Sequence, residues 1–313
     1  MGETNIAAPA SKGRMKYSAF AGQVNPAGSS SKVLEALNKV DQHVVGEELN
    51  DIPYILESVA QPPLFVVRPY GKHQILTDMD SITEYYNWTR REAFEVEYTL
   101  PIKQVASDWY VFWEQLPRMR FVENSAGGRA VGSEMDTHSV AFFPATAAGV
   151  MEMPGGGDPA YEATALVGGS APAKSDPTLE ARNIISHNTF LKHLRNGDLS
   201  AAADLFVEGC GWFIRDYVTS DPIARAVNRG QALDMLVAFD DLYKIDGLAV
   251  LNRVSSSWYI FSEQLFQLTA KRVTPEGHVA GARLQLRTAG VTGVDDKGRF
   301  TGQMAYGTDV ETI

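Results

Sequence analysis

The chain has 313 residues, 44% of them hydrophobic and 21% charged, which is globular composition and length enough for two cores. Lys and Arg total 28 against 38 Asp and Glu, and a net charge of -10 repels a phosphate backbone, so no nucleic-acid partner is expected. No stretch approaches the roughly 18 apolar residues that span a bilayer, and the single cysteine, Cys210, cannot close an internal disulfide, so a soluble cytoplasmic protein with no membrane partner is expected.

Residues 1–31, rich in Ala, Gly, Ser and Pro and without an apolar run of signal-peptide length, predict a disordered arm. Helices over 32–48 and 52–60, a strand over 65–68 and a helix over 81–94 follow. Strands near 102–116, 129–143 and 150–153 then close a first domain, 32–153. Beginning Pro154-Gly155-Gly156-Gly157, residues 154–179 form a Gly, Pro and Ala linker that cannot build a core. The second domain, 180–313, opens on an amphipathic helix with Ile184, His187, Leu191 and Leu194 at three-to-four spacing, ended by Asn196-Gly197-Asp198. A short helix over 199–206, a strand over 212–218 and a helix over 231–243 come next. Strands over 248–266 with a break at Ser255-Ser256, over 278–288, and over 300–310 after the turn Asp295-Asp296-Lys297-Gly298 complete it.

The two domains share a repeat. Ser107-Asp108-Trp109-Tyr110-Val111-Phe112-Trp113-Glu114-Gln115-Leu116 returns as Ser256-Ser257-Trp258-Tyr259-Ile260-Phe261-Ser262-Glu263-Gln264-Leu265, seven identities in ten at an offset of 149 that also pairs Gly132 with Gly281. Upstream the match runs at 147, Asn50-Asp51-Ile52 against Gly197-Asp198-Leu199. Helices first and antiparallel strands last predict an α+β fold in which helices cover one face of a curved sheet, once in each half.

The helix-Gly-Asp-Leu-helix run from His193 through Gly197-Asp198-Leu199 to Leu205-Phe206 resembles the nuclear transport factor 2-like superfamily, particularly its polyketide-cyclase-like bacterial members, over residues 180–313. Through the repeat, the first half looks like a diverged second copy. The resemblance implies two cone-shaped α+β barrel domains, each a bent antiparallel sheet around helices with a pocket at its open end. Relatives include dehydratases, ketosteroid isomerases, epoxide hydrolases, cyclases and cofactor-independent enzymes that release formaldehyde from lignin-derived diarylpropanes, while others only bind or scaffold. It therefore implies a metal-free, cofactor-free lyase that eliminates water or a small carbonyl fragment from a hydrophobic, phenolic aromatic molecule, with isomerase, cyclase and non-catalytic binding or assembly module as open alternatives. Because such relatives pair through their sheets, an intramolecular pseudo-dimer and homo-oligomers built from it are expected.

Alternate residues of a strand share a face, so Glu134, Asp136 and His138 share one, with Phe142 beyond, and the offset of 149 puts Arg283, Gln285 and Arg287 at the matching places. An imidazole beside carboxylates is a candidate general acid/base, the alternative being a solvated strand face. No third ligand of suitable spacing accompanies Asp136 and His138, and no phosphate loop or dinucleotide fingerprint occurs, so neither a metal nor a cofactor is expected. Arg68 and Tyr70, and in the second half Arg215 and Tyr217, put a cation and a phenol at a cavity rim, where they hold an oxyanion or form an ordinary surface ion pair. Tyr110 and Glu114, like Tyr259 and Glu263, share a strand face and suit a structural role as well as catalysis. His187 reads as a core histidine or a base, and Trp88 and Trp109 as core, interdomain contact or pocket wall. The expected catalytic set is thus His138, Asp136, Glu134, Tyr110 and Arg68. Tyr70, Trp109, Phe142 and Trp88 are expected against substrate, and Arg215, Tyr217, Glu263, Arg283, Arg287 and His187 in a second pocket.

Overall fold

A computed structural model describes residues 30–67, 74–122, 130–157, 176–219 and 221–313, which fall into two compact units, 30–152 and 176–313, apart from the short strand after the first. Residues 1–29 of the arm predicted at 1–31, Arg68 and Tyr70, and linker residues 158–175 lie outside the described residues, while Ser30 and Ser31 cap and begin the first helix instead of ending the arm.

In the first unit, Ser30 caps helix α1 (Ser31–Leu49) by accepting from the Val33 N–H, and Asn50, in the left-handed region, ends it. Asp51 then caps α2 (Ile52–Glu57) through the Tyr54 N–H at 3.2 Å. Strands β1 (Phe65–Val67) and β2 (Gln74–Leu76) pair antiparallel, and α3 (Met79–Asn87) runs into a π-helical turn, Trp88–Ala93. The sheet follows: β3 (Phe94–Ala106), β4 (Tyr110–Phe121), β5 (Glu134–Asp136), β6 (Ser139–Thr146) and β7 (Gly149–Val150), with order β3-β4-β6-β7 and β5 paired to β4. Strand β8 (Met153–Gly157) follows in the chain. Ala36, Leu37, Val40 and Val44 on one face of α1 pack on Val111, Trp113, Ala141 and Phe143 of the sheet.

The second unit repeats this order. It has α4 (Pro177–Asn196), α5 (Leu199–Ala203), β9 (Phe206–Arg215), β10 (Ile223–Ala226) and α6 (Arg229–Leu242), then β11 (Tyr243–Ser255), β12 (Tyr259–Ala270), β13 (Arg283–Val294), β14 (Phe300–Gly307) and β15 (Glu311–Thr312). The sheet order is β10-β9-β14-β13-β12-β11, antiparallel except where β14 runs parallel to β9.

Register reproduces the offset of 149 strand by strand. Lys103 faces Glu114 and Asn252 faces Glu263; Glu114 faces Val140 and Glu263 faces Ala289; Arg118 faces Asp136 and Gln267 faces Gln285. The bulges match too, between Val96/Tyr98 and Pro101/Lys103 in one hairpin and between Ile245/Gly247 and Val250/Asn252 in the other. Bulges bend long strands, and they give each sheet its strong curl.

Several boundaries differ from the sequence reading: of the linker predicted over 154–179, residues 154–157 belong to β8 and 177–179 to the helix Pro177–Asn196, where the chain has found strand and helix partners. The strand predicted over 102–116 is the end of β3, a turn at Ser107-Asp108 and the start of β4, because the apolar run continues through the turn without Gly or Pro. The strand predicted over 129–143 is broken at Thr137-His138, where β4 changes partner from β5 to β6. The helix predicted over 199–206 ends at Ala203, Asp204-Leu205 turn and Phe206 begins β9, and the strand predicted over 278–288 is β13, shifted to 283–294.

Gly290 shows how closely the second sheet is built. A Cβ there would collide with the Met304 carbonyl oxygen and with Ala305 across β13 and β14, whereas the matching position of the first unit is Ala141. Gly290→Val is expected to lower stability by about 2 kcal/mol, read from urea denaturation, since backbone rather than a flexible side chain must give way. A loss within error would mean the strands separate there easily.

Candidate functional site

The second unit encloses a cavity of about 360 Å³ between α4, α6 and the inner face of its sheet. Phe190, Trp212, Met235, Phe239, Phe266 and Leu286 make most of its wall, so the interior is apolar and aromatic. Apolar spacing on α4 and α6 turns those helices inward, and the period of two on β12 and β13 presents Gln264, Phe266, Leu286 and Thr288 to the same side.

One polar assembly interrupts this wall. Thr288 Oγ1 donates to Gln264 Oε1 at 3.0 Å, Gln264 Nε2 donates to Ser262 Oγ, and Ser262 Oγ lies 3.1 Å from His187 Nε2 on α4. His187 is buried, and desolvation, with the Arg253 charge adding to it, lowers its pKa to about 3, so the ring is neutral. At the mouth, Arg215 lies over the rings of Tyr217 and Tyr306 at 5.1 and 5.2 Å, donates to the Gly307 carbonyl at 2.7 Å and pairs with Asp309. Burial pushes the Tyr217 phenol well above its ordinary range, and its hydroxyl donates to the Thr308 carbonyl at 3.1 Å. Asp216, Asp234 and Asp240 also line the cavity.

The first unit differs at matching inward positions. Trp113 stands where the second unit has Ser262, and Phe143 where it has Thr292. Both rings pack under α1, so the Ser262 hydroxyl that accepts from Gln264 is replaced there by the Trp113 ring.

Two buried polar clusters belong to the first unit. His138 Nε2 lies 2.7 Å from Glu114 Oε1 and Lys103 Nζ 3.4 Å from Glu114 Oε2. At the matching positions Arg287 donates to Glu263 Oε1 at 2.6 and 3.0 Å, and Asn252 donates to Glu263 Oε2 at 2.6 Å. Glu114 and Glu263 are thus matching buried glutamates, each between two donors of different chemistry. The second cluster centres on His43, whose inward place follows from its spacing with Ala36, Val40 and Val44 on α1. The Ser58 hydroxyl donates to the Ile55 carbonyl at 2.5 Å, so its oxygen receives the His43 Nδ1–H at 2.7 Å. On the other side of the ring, Nε2 lies 2.9 Å from Tyr86 Oη and 3.5 Å from Glu152, while Tyr86 donates to Glu152 at 2.8 Å. Burial would raise the Glu152 carboxyl, but the hydrogen bond and charge of His43 and the hydrogen bond from Tyr86 outweigh it and hold the group below the usual glutamate range. Arg90, carried by the π-helical turn, pairs with Glu47. His43, Glu47 and Glu152 bring donor atoms within 4.8 Å of one another, a spacing that a cation fits, yet Ser58, Tyr86 and Arg90 already engage all three.

The residues singled out in the sequence are distributed as follows. His138 meets Glu114, whereas Asp136 is gripped by Arg118 at 2.6 and 2.7 Å and the exposed Glu134 lies 3.8 Å from that same arginine, so Asp136 and His138 are not paired. Trp109, Tyr110 and Phe142 come together, with ring centroids 4.9 to 6.2 Å apart. Trp88 lines an open acidic surface hollow with Asp80, Glu84 and Glu92. Arg215 and Tyr217 line the cavity, His187 stands behind its polar assembly, and Glu263 and Arg287 lie on the opposite face of the sheet from Gln264. Arg283 is exposed at the start of β13. Gln264, Ser262 and Thr288, like His43, Tyr86 and Glu152, were not among the expected site residues. The exchange of Trp113 for Ser262 within the repeat is the signal that marks the first group.

No family model matches the chain, and no curated protein matches it. Solved structures do resemble parts of it. An LEH-like epoxide hydrolase of M. tuberculosis is 17% identical with a TM-score of 0.32, covering 41% of this chain and 84% of that one. An NTF2-like protein from Burkholderia xenovorans LB400 is 11% identical with a TM-score of 0.32, covering 41% and 91%. A ketosteroid isomerase-like protein from Erwinia carotovora atroseptica is 11% identical with a TM-score of 0.33, covering 43% and 99%. Each unit is α+β, helices against a strongly curled, largely antiparallel sheet. No described helix is long and apolar enough to cross a membrane.

Proposed function

We propose that the second unit encloses a small, largely apolar molecule and that its cavity is the working site of the protein. The observation that carries this reading is the cavity itself: about 360 Å³, walled by Phe190, Trp212, Phe239 and Phe266, with few polar groups. That volume lies within the range of roughly 300–1,000 Å³ typical of small-molecule sites, and the wall suits a one- or two-ring compound. Titrating the protein with 2-naphthol while following tryptophan fluorescence tests it. Saturable quenching is expected, and Ala305→Phe or Met235→Trp, which fill the cavity from opposite walls, should weaken binding at least about 10-fold without loss of the folded state. Absence of binding, or binding indifferent to both variants, would count against the cavity.

A second reading, favoured by the carboxylates at the mouth, is that the enclosed molecule is turned over. Acid/base elimination from a hydrophobic phenolic compound, including loss of formaldehyde from a diarylpropane, needs a proton acceptor near the bound molecule. Asp216 and Asp234 line the cavity and are candidates for that role. Asp216 also accepts from the backbone N–H groups of Val218 and Thr219, which steadies its turn. Isomerisation or cyclisation would use the same groups. Formaldehyde release that is lost in Asp234→Asn but retained in a first-unit variant such as His138→Gln would support the lyase form; the reverse pattern would move the chemistry to the first unit.

A further inference from the structure

We infer that Gln264 is the recognition group of the second-unit cavity, and that the molecule it selects is an apolar compound that carries a hydroxyl group and no negative charge. This rests on the cavity being the working site and adds the class of ligand. A glutamine amide offers two N–H donors and two carbonyl lone pairs. Ser262 and Thr288 engage one of each, so the amide plane is held and one donor and one acceptor are left. Gln264 lines the cavity and is otherwise buried, at 7% exposure, so the remaining pair is satisfied by whatever occupies the cavity. A hydroxyl matches that pair, because it donates to the carbonyl and accepts from the N–H. Exchange of the amide's nitrogen and oxygen leaves the same complement, so the inference does not depend on which way the amide is assigned.

Charge selection follows from the same wall. Among the described residues that line the cavity, Arg215 is the sole cation, and its guanidinium is engaged by Asp309, the Gly307 carbonyl and two tyrosine rings. Three carboxylates, Asp216, Asp234 and Asp240, stand at the same lining, and only Asp240 is neutralised by a lysine, Lys271 at 3.0 Å. An anion would therefore enter past like charges and lose its hydration without a free cation to meet it. At the deep end His187 is neutral and hydrogen-bonded to Ser262, so no charge waits there either.

Calorimetric titration of the full chain with 4-ethylphenol, ethylbenzene, 4-ethylbenzoate and 4-ethylaniline, repeated on Gln264→Leu and on the near-isosteric Thr288→Val, tests this. 4-Ethylphenol is expected to bind about 10-fold more tightly than ethylbenzene, with 4-ethylbenzoate weakest. Gln264→Leu should erase the preference for the phenol while ethylbenzene binds as before, and Thr288→Val should reduce it partly. That ratio is the diagnostic, because a merely structural role for Gln264 would weaken all ligands together. Equal affinities for phenol and hydrocarbon, a preference that survives Gln264→Leu, or tighter binding of the benzoate or the aniline would overturn the inference and leave the cavity reading standing. If none of the four binds, it is the cavity reading that fails.

Discussion

Glu263→Ala is expected to destabilise the protein by about 3 kcal/mol, the scale for removing one partner of a buried ion pair. Glu263 is 1% exposed and accepts two hydrogen bonds from Arg287 on one oxygen and one from Asn252 on the other. Removing the carboxylate leaves a three-quarters-buried guanidinium without this counter-charge, and leaves the Asn252 amide without this acceptor. Glu263→Gln, which keeps the shape and one carbonyl oxygen, should cost less. Replacing the pair together, Glu263→Leu with Arg287→Met, should recover much of the loss, since the desolvation of both charges is then avoided. Urea denaturation of the parent and these three variants measures the differences. A loss below about 1 kcal/mol in Glu263→Ala would show that the pair contributes no more than a surface one. The matching truncation in the first unit, Glu114→Ala, removes this carboxylate from beside His138 and Lys103 and is expected to act in the same direction.

Stability is expected to fall as pH drops from 6.5 toward about 3 because of His187, whose pKa burial lowers across that window. The unfolded chain takes up a proton at this imidazole below 6.5, while the native state refuses it until about 3. The unfolded state therefore binds more protons throughout the window, and native stability rises with pH. The contribution is complete above 6.5 and is lost as pH falls through the native value. At about 1.4 kcal/mol for each pH unit, the loss should be near 2 kcal/mol by about pH 5, before most carboxylates titrate. His187→Gln, which keeps a partner for Ser262 but has no proton to gain, should flatten the profile over that range. Urea midpoints at neutral pH and near pH 5 compare the two proteins. Identical slopes would mean that the native ring takes its proton as readily as the unfolded one.

Local sequence determines the order of elements in both units, because the signals that set it act within a few residues. Asp198 follows the left-handed Gly197 as Asp51 follows the left-handed Asn50, and apolar spacing places Val40 and Val44, or Phe190 and Leu191, on the inner helix faces. The repeat goes further and determines register, since a strand buried on both faces cannot slip by one residue without reversing every side chain. That is why Lys103 and Asn252 meet glutamates 149 residues apart. Which polar groups meet is a different matter. Glu134, Asp136 and His138 follow one another at strand spacing, yet Arg118 takes the two carboxylates and Glu114 takes the imidazole, because those partners arrive on a neighbouring strand whose side chains the spacing does not describe. His43, Tyr86, Ser58 and Glu152 likewise converge from four separate segments. The enclosed space was also beyond local reading, because a cavity is the volume left after all walls are packed: Trp113 and Phe143 fill the core beneath α1, while the matching Ser262 and Thr292 do not, and only the assembled α4, α6 and sheet leave Gln264 facing a space of molecular size.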